Sequence, residues 1–494
     1  MPKSIAIIGA GIAGLSAACY ARMNGFDTTV FELHDKPGGL CTSWERNGYT
    51  VDGCIHWLCG SSPRNSFHRY WKELGAIEGV PVVDHDEFTR VEDPDGKTLV
   101  FYTDMDRFEK HLLELCPRDA SMIRRFTNRV RAYARMDEQL ADETASLSGR
   151  VARALATARL ILSFMTSTRT SIQDFAARFQ EPFLRRNFPA VFDLPDFPMF
   201  AVYYTLAMMH NRAAGYPLGG SLEFARRIER KYLSLGGTIR YKSRVTRILV
   251  EEGKAAGVEL AAGGQFRSDY VVSAADGHST LFHMLGERYL DRKVHEYYRT
   301  LKPFQPLVYL AVGVDRDLSD QPHSVICRAD PPLAIPGGDG DRVFLRHFCY
   351  DPSLAPAGKS IVISMFKSDY ALWEEIGKDP ARYAAEKKAI GDQFVGFLGR
   401  RFPGIAEQVE MVNVATPLTF ERYTGNWLGS FEGWLPTTKS IRVRIRRTLP
   451  SVANFHMIGQ WVQPGGGLPP AAMQGRKVIE KICRENRSKF RTVP

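Results

Sequence analysis

Three glycines close to the N-terminus, Gly9, Gly11 and Gly14, have the type and the spacing needed to hold a diphosphate. The first permits a tight turn that a Cβ atom would strain, the second lets the backbone approach the phosphates, and the third lets a helix pack closely on a strand. The start of that helix presents free N–H groups and the positive end of its dipole to the phosphates. This pattern predicts a dinucleotide-binding turn.

The segments around the turn have the order that such a site requires. We expect a strand over Ser4–Ile8, a helix over Ile12–Asn24 that includes Ala13, and a second strand over Thr28–Phe31. Glu32 ends the second strand, at the place where an acidic side chain accepts hydrogen bonds from the ribose hydroxyls of the nucleotide. This context makes an accidental glycine-rich turn the weaker interpretation.

A second glycine pair indicates which dinucleotide binds. Gly38 and Gly39 follow Glu32 closely, and Leu40 and Thr42 come directly after the pair. A second close approach of the backbone suits a long cofactor whose phosphates and ribityl chain continue past the first helix. NAD makes no use of such a contact, whereas FAD does, so the sequence predicts FAD as the cofactor.

The C-terminal part repeats the order of strand, glycine-rich loop and helix. Gly459, Gly466, Gly467 and Leu468 lie in the loop, and a last helix is expected over 471–485. The positive end of that helix would stabilise negative charge at the N1/O2 edge of the flavin ring. We therefore expect both ends of the chain to meet at a single flavin.

The chain resembles the FAD-dependent phytoene desaturase, carotenoid isomerase and retinol saturase family, which is part of the amine oxidase-like flavoproteins. The run GYTVDG followed by His56 and the run PGGGLP at 464–469 carry this resemblance. It implies an α/β fold, with a Rossmann-like FAD-binding domain of the glutathione-reductase/amine-oxidase type and an interleaved α+β substrate domain. It also implies that Val245 and Ala275 offer main-chain groups to the adenine.

The same resemblance indicates side chains beside the flavin ring. His56 follows a loop that the family packs against the flavin, where it could donate or accept a proton, although a single histidine is often structural. The apolar stripe 199–209 could line a cavity or fill a core. The candidate walls of the substrate pocket are Trp57, Tyr204, Tyr423, Trp461 and Gln463. The aromatic run 416–427 could equally form the core of a hairpin.

The order of the predicted elements divides the chain into interleaved parts of two domains. The FAD-binding domain is expected in three parts, 1–103, 206–300 and 426–494. The substrate domain is expected as a helical part, 104–205, which could also be a membrane-facing lid, and a sheet part, 301–425.

One stretch of the helical part, 144–173, contains four arginines and no acidic residue. A basic amphipathic helix can lie in a membrane interface with its apolar side down. The same pattern also serves a lid or core helix with a solvated arginine face, so both interpretations stay open. The first would bring the protein to the inner face of the membrane.

The composition argues against several other classes of protein. The net charge of +10 favours anionic surfaces, but no nucleic-acid-binding signature accompanies it. Eight cysteines without a C-x-x-C pair predict neither a disulfide framework nor a zinc site, and we expect no metal. The chain begins directly in a strand-like run and has no long apolar stretch, so we expect a cytoplasmic protein without a signal peptide or a spanning helix.

The resemblance implies an FAD-dependent oxidoreductase that acts on C=C or CH–CH bonds of a long hydrophobic isoprenoid or polyene. Desaturation, saturation and cis–trans isomerisation share one cofactor geometry, so the sequence does not separate them. A single dinucleotide site leaves the electron donor or acceptor open. Two alternatives are a flavin amine oxidase and a non-enzymatic prenyl-lipid carrier with the same fold.

Overall fold

The computed structural model of this protein describes residues 2–141 and 147–493. Its strands, in chain order, are β1 (Ser4–Ile8), β2 (Asp27–Phe31), β3 (Ser43–Arg46), β4 (Tyr49–Asp52), β5 (Val82–Val83), β6 (Glu87–Glu92), β7 (Thr98–Tyr102), β8 (Tyr216–Pro217), β9 (Thr238–Arg240), β10 (Val245–Glu251), β11 (Lys254–Leu260), β12 (Gln265–Arg267), β13 (Tyr270–Ser273), β14 (Leu307–Val314), β15 (Ser324–Arg328), β16 (Arg342–His347), β17 (Ser360–Lys367), β18 (Val409–Ala415) and β19 (Phe455–Met457).

The α-helices, in chain order, are α1 (Ile12–Met23), α2 (His68–Glu73), α3 (Met105–Leu115), α4 (Ala120–Ala141), α5 (Leu147–Ser167), α6 (Ile172–Ala176), α7 (Pro182–Asn187), α8 (Met199–His210), α9 (Gly220–Ser234), α10 (Arg292–Thr300), α11 (Tyr370–Gly377), α12 (Pro380–Arg401), α13 (Pro417–Thr424) and α14 (Leu468–Glu485).

A five-stranded parallel sheet carries both ends of the chain. Its strand order is β19-β13-β1-β2-β9, and β1 pairs in parallel with both β2 and β13. The apolar run Ile5–Ile8 is buried along its whole length, as strands are when helices cover both faces of a parallel sheet. The sheet and its helices agree with the predicted α/β architecture.

The first and last helices pack directly on one another. A Cβ atom at Gly475 of α14 would lie 2.6 Å from the Ser16 Cβ atom of α1, so only a glycine allows this close crossing. Ser16 Oγ also donates a hydrogen bond of 2.8 Å to the Ala472 carbonyl. The two ends of the chain therefore meet, as the glycine-rich turns at each end led us to expect.

A seven-stranded sheet, in the order β18-β14-β17-β16-β15-β6-β7, forms the second large layer. Residues of β14 alternate between its faces: Val308 and Leu310 belong to a core shared with α11 and α12, whereas Tyr309 faces the core of the parallel sheet. The sheet thus has one face against its own helices and the other against the first domain.

The hairpin β6–β7 belongs to this second sheet, because β6 pairs in parallel with β15. The sequence-based division had placed it in the first part of the FAD-binding domain, 1–103, and that boundary is corrected here. The hairpin itself was predicted from its turn residues, but its partner strand lies more than 200 residues away and leaves no local signal. The rest of the division into domains stays a prediction.

The run 416–427 forms the short helix α13 and a following turn, and the prediction of a hairpin core is therefore wrong. Thr416 and Thr419 form a capping box, and Pro417 occupies the first turn, so the helix start is locally specified. Phe420 and Tyr423 of the aromatic run lie on this helix, and Trp427 lies in the turn that follows it.

Helix α5 includes most of the basic segment 144–173, of which residues 144–146 lie outside the described residues. Its inner side packs through Phe164, whose ring lies 4.8 Å from that of Phe200. The other side carries an apolar row that is about half exposed or more: Val151, Leu155, Ile161, Leu162 and Met165. Over the described residues, no helix is both long enough and apolar enough to cross a bilayer.

Candidate cofactor and substrate site

The N-terminal glycine turn leaves open space at its second glycine. Gly9 has a φ of +96°, and a Cβ atom at Gly14 would lie 1.9 Å from the Gly9 carbonyl oxygen. At Gly11, by contrast, the nearest atom to an added Cβ atom, apart from its chain neighbours, would be the Gly38 carbonyl oxygen at 3.8 Å. The first and third glycines are therefore required by packing, whereas the second faces space that a ligand can fill.

The second glycine pair lies against the first turn. Gly38 donates a hydrogen bond of 2.9 Å to the Ala10 carbonyl and forms a parallel bridge with Gly11. Gly38 and Gly39 both have positive φ. The chain then turns at Leu40, whose carbonyl accepts a bond from the Thr42 amide at 3.0 Å. Two glycine-rich backbone segments thus lie side by side at the start of α1.

Glu32 lies at the end of β2 with both carboxylate oxygens directed at backbone amides. Oε2 accepts a hydrogen bond of 2.6 Å from Ala10 and Oε1 one of 2.8 Å from His34. Burial raises the pKa of this carboxyl group, and the two amide bonds oppose that shift. Each oxygen keeps a further lone pair, which a ribose hydroxyl can use.

The C-terminal loop reaches the same region from the other side. Gly459 has a φ of +98°, its amide donates to Gln474 Oε1 at 2.7 Å, and a Cβ atom there would lie 3.8 Å from that of Ala13. Gly466 and Gly467 then lead into Leu468, the first residue of α14. The starts of α1 and α14 are therefore close together.

The two residues expected at the adenine also lie near the first turn. The Ala275 amide would be 3.4 Å from a Cβ atom at Gly9. Val245 is buried in β10 and belongs to a core that includes Ile8 and Phe31. These placements, with the adjacent glycine turns, the space at Gly11 and the acid at the end of β2, fit an FAD whose adenosine half lies along the parallel sheet.

A buried carboxyl group, that of Asp52, fixes the loop that carries His56. It accepts hydrogen bonds from the Tyr216 hydroxyl at 3.0 Å and the Ser221 amide at 3.2 Å. The Ser221 hydroxyl in turn accepts a bond of 2.8 Å from the Ile55 amide. Burial raises the pKa of Asp52 to about 6.

His56 lies between the two sheets. Its ring is 6.4 Å from that of Phe348, and its Nε2 atom is buried without a hydrogen-bond partner. Burial, with a smaller contribution from the nearby Arg346 guanidinium, holds the pKa of His56 well below its ordinary value. The imidazole is therefore neutral at neutral pH, which favours hydrogen bonding over donation of a proton.

Two of the predicted pocket residues lie on the same side as His56. Trp57 packs edge-on against Phe88 at 5.1 Å, and Tyr204 donates a hydrogen bond of 3.0 Å to Asp137. The Cys59 thiol lies near Asp137 and forms a hydrogen bond with Trp57. Burial raises the pKa of this thiol to about 12, Asp137 contributes to the rise, and the hydrogen bond with Trp57 opposes it.

The other three candidates are not brought to this place. Trp461 is 2% exposed, and its ring lies 5.0 Å from that of Trp434 in an aromatic core. Gln463 accepts a long bond of 3.5 Å from Arg447. Tyr423 is 44% exposed and packs beside His34. The structure therefore does not group these side chains with His56.

The sequence reasoning missed Glu432, which lies against the C-terminal glycine loop. A Cβ atom at Gly467 would be 3.3 Å from Glu432 Oε1. Burial raises the pKa of this carboxyl group to about 7, although the residue keeps intermediate exposure. Glu432 is thus a partly buried carboxyl group beside the C-terminal glycine loop. No local pattern around 432 would have found it.

Comparison with known proteins agrees with this geometry. The family described as flavin containing amine oxidoreductase matches residues 12–481. The chain is 24% identical over 497 residues to prolycopene isomerase 2, chloroplastic, of an Oncidium hybrid cultivar, covering 97% of this chain and 83% of that protein. It is 26% identical over 490 residues to phytoene desaturase (lycopene-forming) of Pseudescherichia vulneris, covering 94% of this chain and 96% of that protein.

A solved structure has the same fold. Cyclohexylamine oxidase from Brevibacterium oxydans IH-35A superposes with a TM-score of 0.57 at 15% identity, covering 99% of this chain and 100% of that chain. The predicted Rossmann-like fold of the amine-oxidase type and the predicted FAD cofactor are therefore confirmed. The chain belongs to the flavin containing amine oxidoreductase family, and it is an FAD-dependent oxidoreductase.

Proposed function

We propose that this protein desaturates, saturates or isomerises C=C or CH–CH bonds of a long hydrophobic polyene of the isoprenoid type. The observation that supports this most directly is the apolar and aromatic wall beside His56, formed by Trp57, Phe88 and Phe348. The names of the relatives, a prolycopene isomerase and a phytoene desaturase, agree with a substrate of this class.

The cofactor is held by the elements of the first domain in this proposal. The open space at Gly11 and the start of α1 would hold the diphosphate, Glu32 would accept hydrogen bonds from the ribose, and Gly38, Gly39 and Thr42 would contact the ribityl chain. When bound, FAD supplies the capacity to take up or release a hydride equivalent.

The chain's own side chains orient the substrate and exclude water. The aromatic wall keeps the reacting carbons in a water-poor space, where charge that develops on carbon is not quenched by solvent. His56, neutral and with a free Nε2 atom, acts as a hydrogen-bonding group. The Glu432 carboxyl group, whose pKa burial raises to about 7, would be the proton donor or acceptor beside the C-terminal glycine loop.

We further propose that α5 rests on an anionic membrane surface, from which a hydrophobic substrate can enter. Its exposed apolar row repeats at helical spacing, with Leu155 54% and Leu162 65% exposed. Arg153 and Arg159 lie on the same helix, and α5 has no acidic residue. An exposed apolar row with cations on the same helix matches an interfacial helix.

The substrate class is tested by anaerobic mixing of the purified yellow protein with polyenes, retinoids and amines, while the absorption band of the oxidised flavin is followed. We expect a polyene or retinoid to change the band or the isomer composition of the added compound. Bleaching by amines alone would contradict the proposal, and a colourless preparation that binds prenyl lipid would indicate the carrier alternative.

The diphosphate site is tested with a matched pair of glycine variants. Gly11 has φ −68° and ψ 173°, which alanine adopts without strain, so Gly11→Ala should fold and melt like the wild type in its flavin-free form. Its Kd for FAD should rise about 10-fold or more, equivalent to about 1.4 kcal/mol, because the methyl group fills the space for the phosphates. Gly14→Ala should fail to fold, because its Cβ atom meets the Gly9 carbonyl. Unchanged FAD affinity in Gly11→Ala would contradict the assignment.

The burial of Glu432 is tested by the pH dependence of unfolding. A folded-state pKa raised from 4.5 to about 7 favours the folded protein below pH 4.5, and this contribution is lost as the pH rises to about 7 and above. Glu432→Gln should therefore gain stability over the wild type as the pH rises, by on the order of 3 kcal/mol at pH 8. Chemical unfolding from pH 4.5 to 8 measures this difference.

Glu407→Gln, at an exposed position, is the matched control and should follow the wild type across the same pH range. A Glu432→Gln curve that runs parallel to the wild type would mean that Glu432 is not enclosed.

The membrane proposal is tested by flotation with vesicles that contain phosphatidylglycerol. The double variant Leu155→Asn/Leu162→Asn should bind at least about 10-fold more weakly, because two apolar side chains no longer enter the interface. Wild-type binding should fall as salt is raised. The control Leu233→Asn/Leu372→Asn changes leucines that are 46% and 47% exposed on other helices, and it should float like the wild type. Equal flotation of all three proteins would exclude α5 as the contact.

A further inference from the structure

Arg346 carries a partly buried guanidinium that has no acidic partner among the described residues. It stands on β16, and its Nη2 atom donates a single long hydrogen bond of 3.3 Å to Ser324 Oγ. An arginine has five N–H donors, so this guanidinium keeps donors for a further partner. Throughout residues 2–141 and 147–493, no carboxylate lies close enough to Arg346 to form an ion pair with it.

Two other partly buried arginines, Arg401 and Arg131, have carboxylate partners. Arg401 donates two hydrogen bonds of 2.7 Å to Glu92, one to each oxygen. Arg131 donates one of 2.8 Å to Glu109. Arg346 differs from these two arginines in having no such partner, a feature that it shares with Arg447.

The groups that face Arg346 also have unused hydrogen-bonding capacity. The Tyr350 hydroxyl, His56 Nε2 and His85 Nε2 are buried atoms without a hydrogen-bond partner. Arg346 lies within electrostatic range of all three side chains. Its positive charge acts to lower the pKa of each, although burial raises the pKa of Tyr350 overall. Three buried polar atoms without a hydrogen-bond partner of their own therefore lie within electrostatic range of the guanidinium.

Asp52, the acid near Tyr350, is already engaged. It accepts hydrogen bonds from the Tyr216 hydroxyl at 3.0 Å and from the Ser221 amide at 3.2 Å. It acts on the pKa of Tyr350, but it makes no hydrogen bond to Arg346. Asp52 is therefore not available to pair with the guanidinium, which leaves Arg346 free to bind a negative group from outside the chain.

We propose that Arg346 binds a carboxylate at one end of the substrate, with the Tyr350 hydroxyl and His56 Nε2 as the adjoining polar contacts. A guanidinium offers two parallel N–H groups that match the two oxygens of a carboxylate. The inference rests on the proposed function and deepens it, because the substrate becomes an unsaturated hydrophobic chain that ends in a carboxylate. The wall formed by Trp57 and Phe88 then holds the apolar part.

The first experiment needs no variant. The flavin-loaded wild-type protein is titrated with all-trans-retinoic acid and, separately, with its methyl ester, both in the same mixed micelles at neutral pH. Binding is read from the quenching of tryptophan fluorescence, since Trp57 adjoins the site. We expect the acid to bind about 10- to 100-fold more tightly than the ester, the range for a hydrogen-bonded charged group. Equal affinity for acid and ester would overturn the proposal.

The second experiment assigns the preference to Arg346. Arg346→Met should bind acid and ester alike, and Arg346→Lys should keep part of the preference because it keeps the charge but loses the paired geometry. Arg328→Met removes an exposed arginine of the neighbouring strand β15, 50% exposed at its side chain, and should behave like the wild type. Full preference for the acid in Arg346→Met would overturn the proposal, and Arg346→Lys decides the point if the methionine variant does not fold.

Two further readouts separate this inference from the proposed function. Flavin content and midpoint potential are measured on each variant without added polyene. A shifted potential in Arg346→Met together with an unchanged preference for the acid would assign the guanidinium to the cofactor and overturn the carboxylate site. Tight, Arg346-dependent binding of retinoic acid by a protein whose flavin responds only to amines would instead support the carboxylate site while contradicting the polyene chemistry.

Discussion

The packing of the first helix on the last is the contact on which the rest of the structure depends. Gly475 of α14 allows the backbones to approach, and Ser16 of α1 closes the contact with a hydrogen bond to the Ala472 carbonyl. The strands before these helices, β1 and β19, flank β13 in one parallel sheet. Because parallel strands end at the same edge, the two glycine-rich loops that follow them meet there. The cofactor site is thus a consequence of how the two chain ends pack.

The parts of this arrangement that depend on local chemistry could be predicted from the sequence. The turn at Gly9, Gly11 and Gly14, the acid at Glu32 and the pair at Gly38 and Gly39 lie within 31 consecutive residues, and each residue type has its own physical reason. Their positions in the structure agree with those reasons in detail. Gly14 is required by a carbonyl 1.9 Å from its missing Cβ atom, whereas Gly11 faces open space.

The parts that depend on contacts between distant segments could not be predicted. The hairpin β6–β7 carries a clear turn signal, but nothing near it reveals that β15 is its partner. Glu432 and Arg346 are single charged residues in unremarkable local sequences, and only the fold encloses them. Trp461 and Tyr423 show the converse: aromatic residues near a cofactor motif suggest a pocket, yet one fills a core and the other lies on the surface.

The enclosed charges limit what the interior space can be for. A cavity that received only hydrocarbon would be most stable with an entirely apolar lining, because an unpaired buried charge is unfavourable and no hydrocarbon can compensate it. The chain nevertheless carries Arg346 on β16 and Glu432 against the C-terminal glycine loop. Proton transfer explains a carboxyl group with a pKa near neutrality, but it does not explain a guanidinium, which keeps its proton throughout the accessible pH range. Because Arg346 cannot exchange its proton, it suits the binding of an anion, whereas Glu432 suits the transfer of a proton.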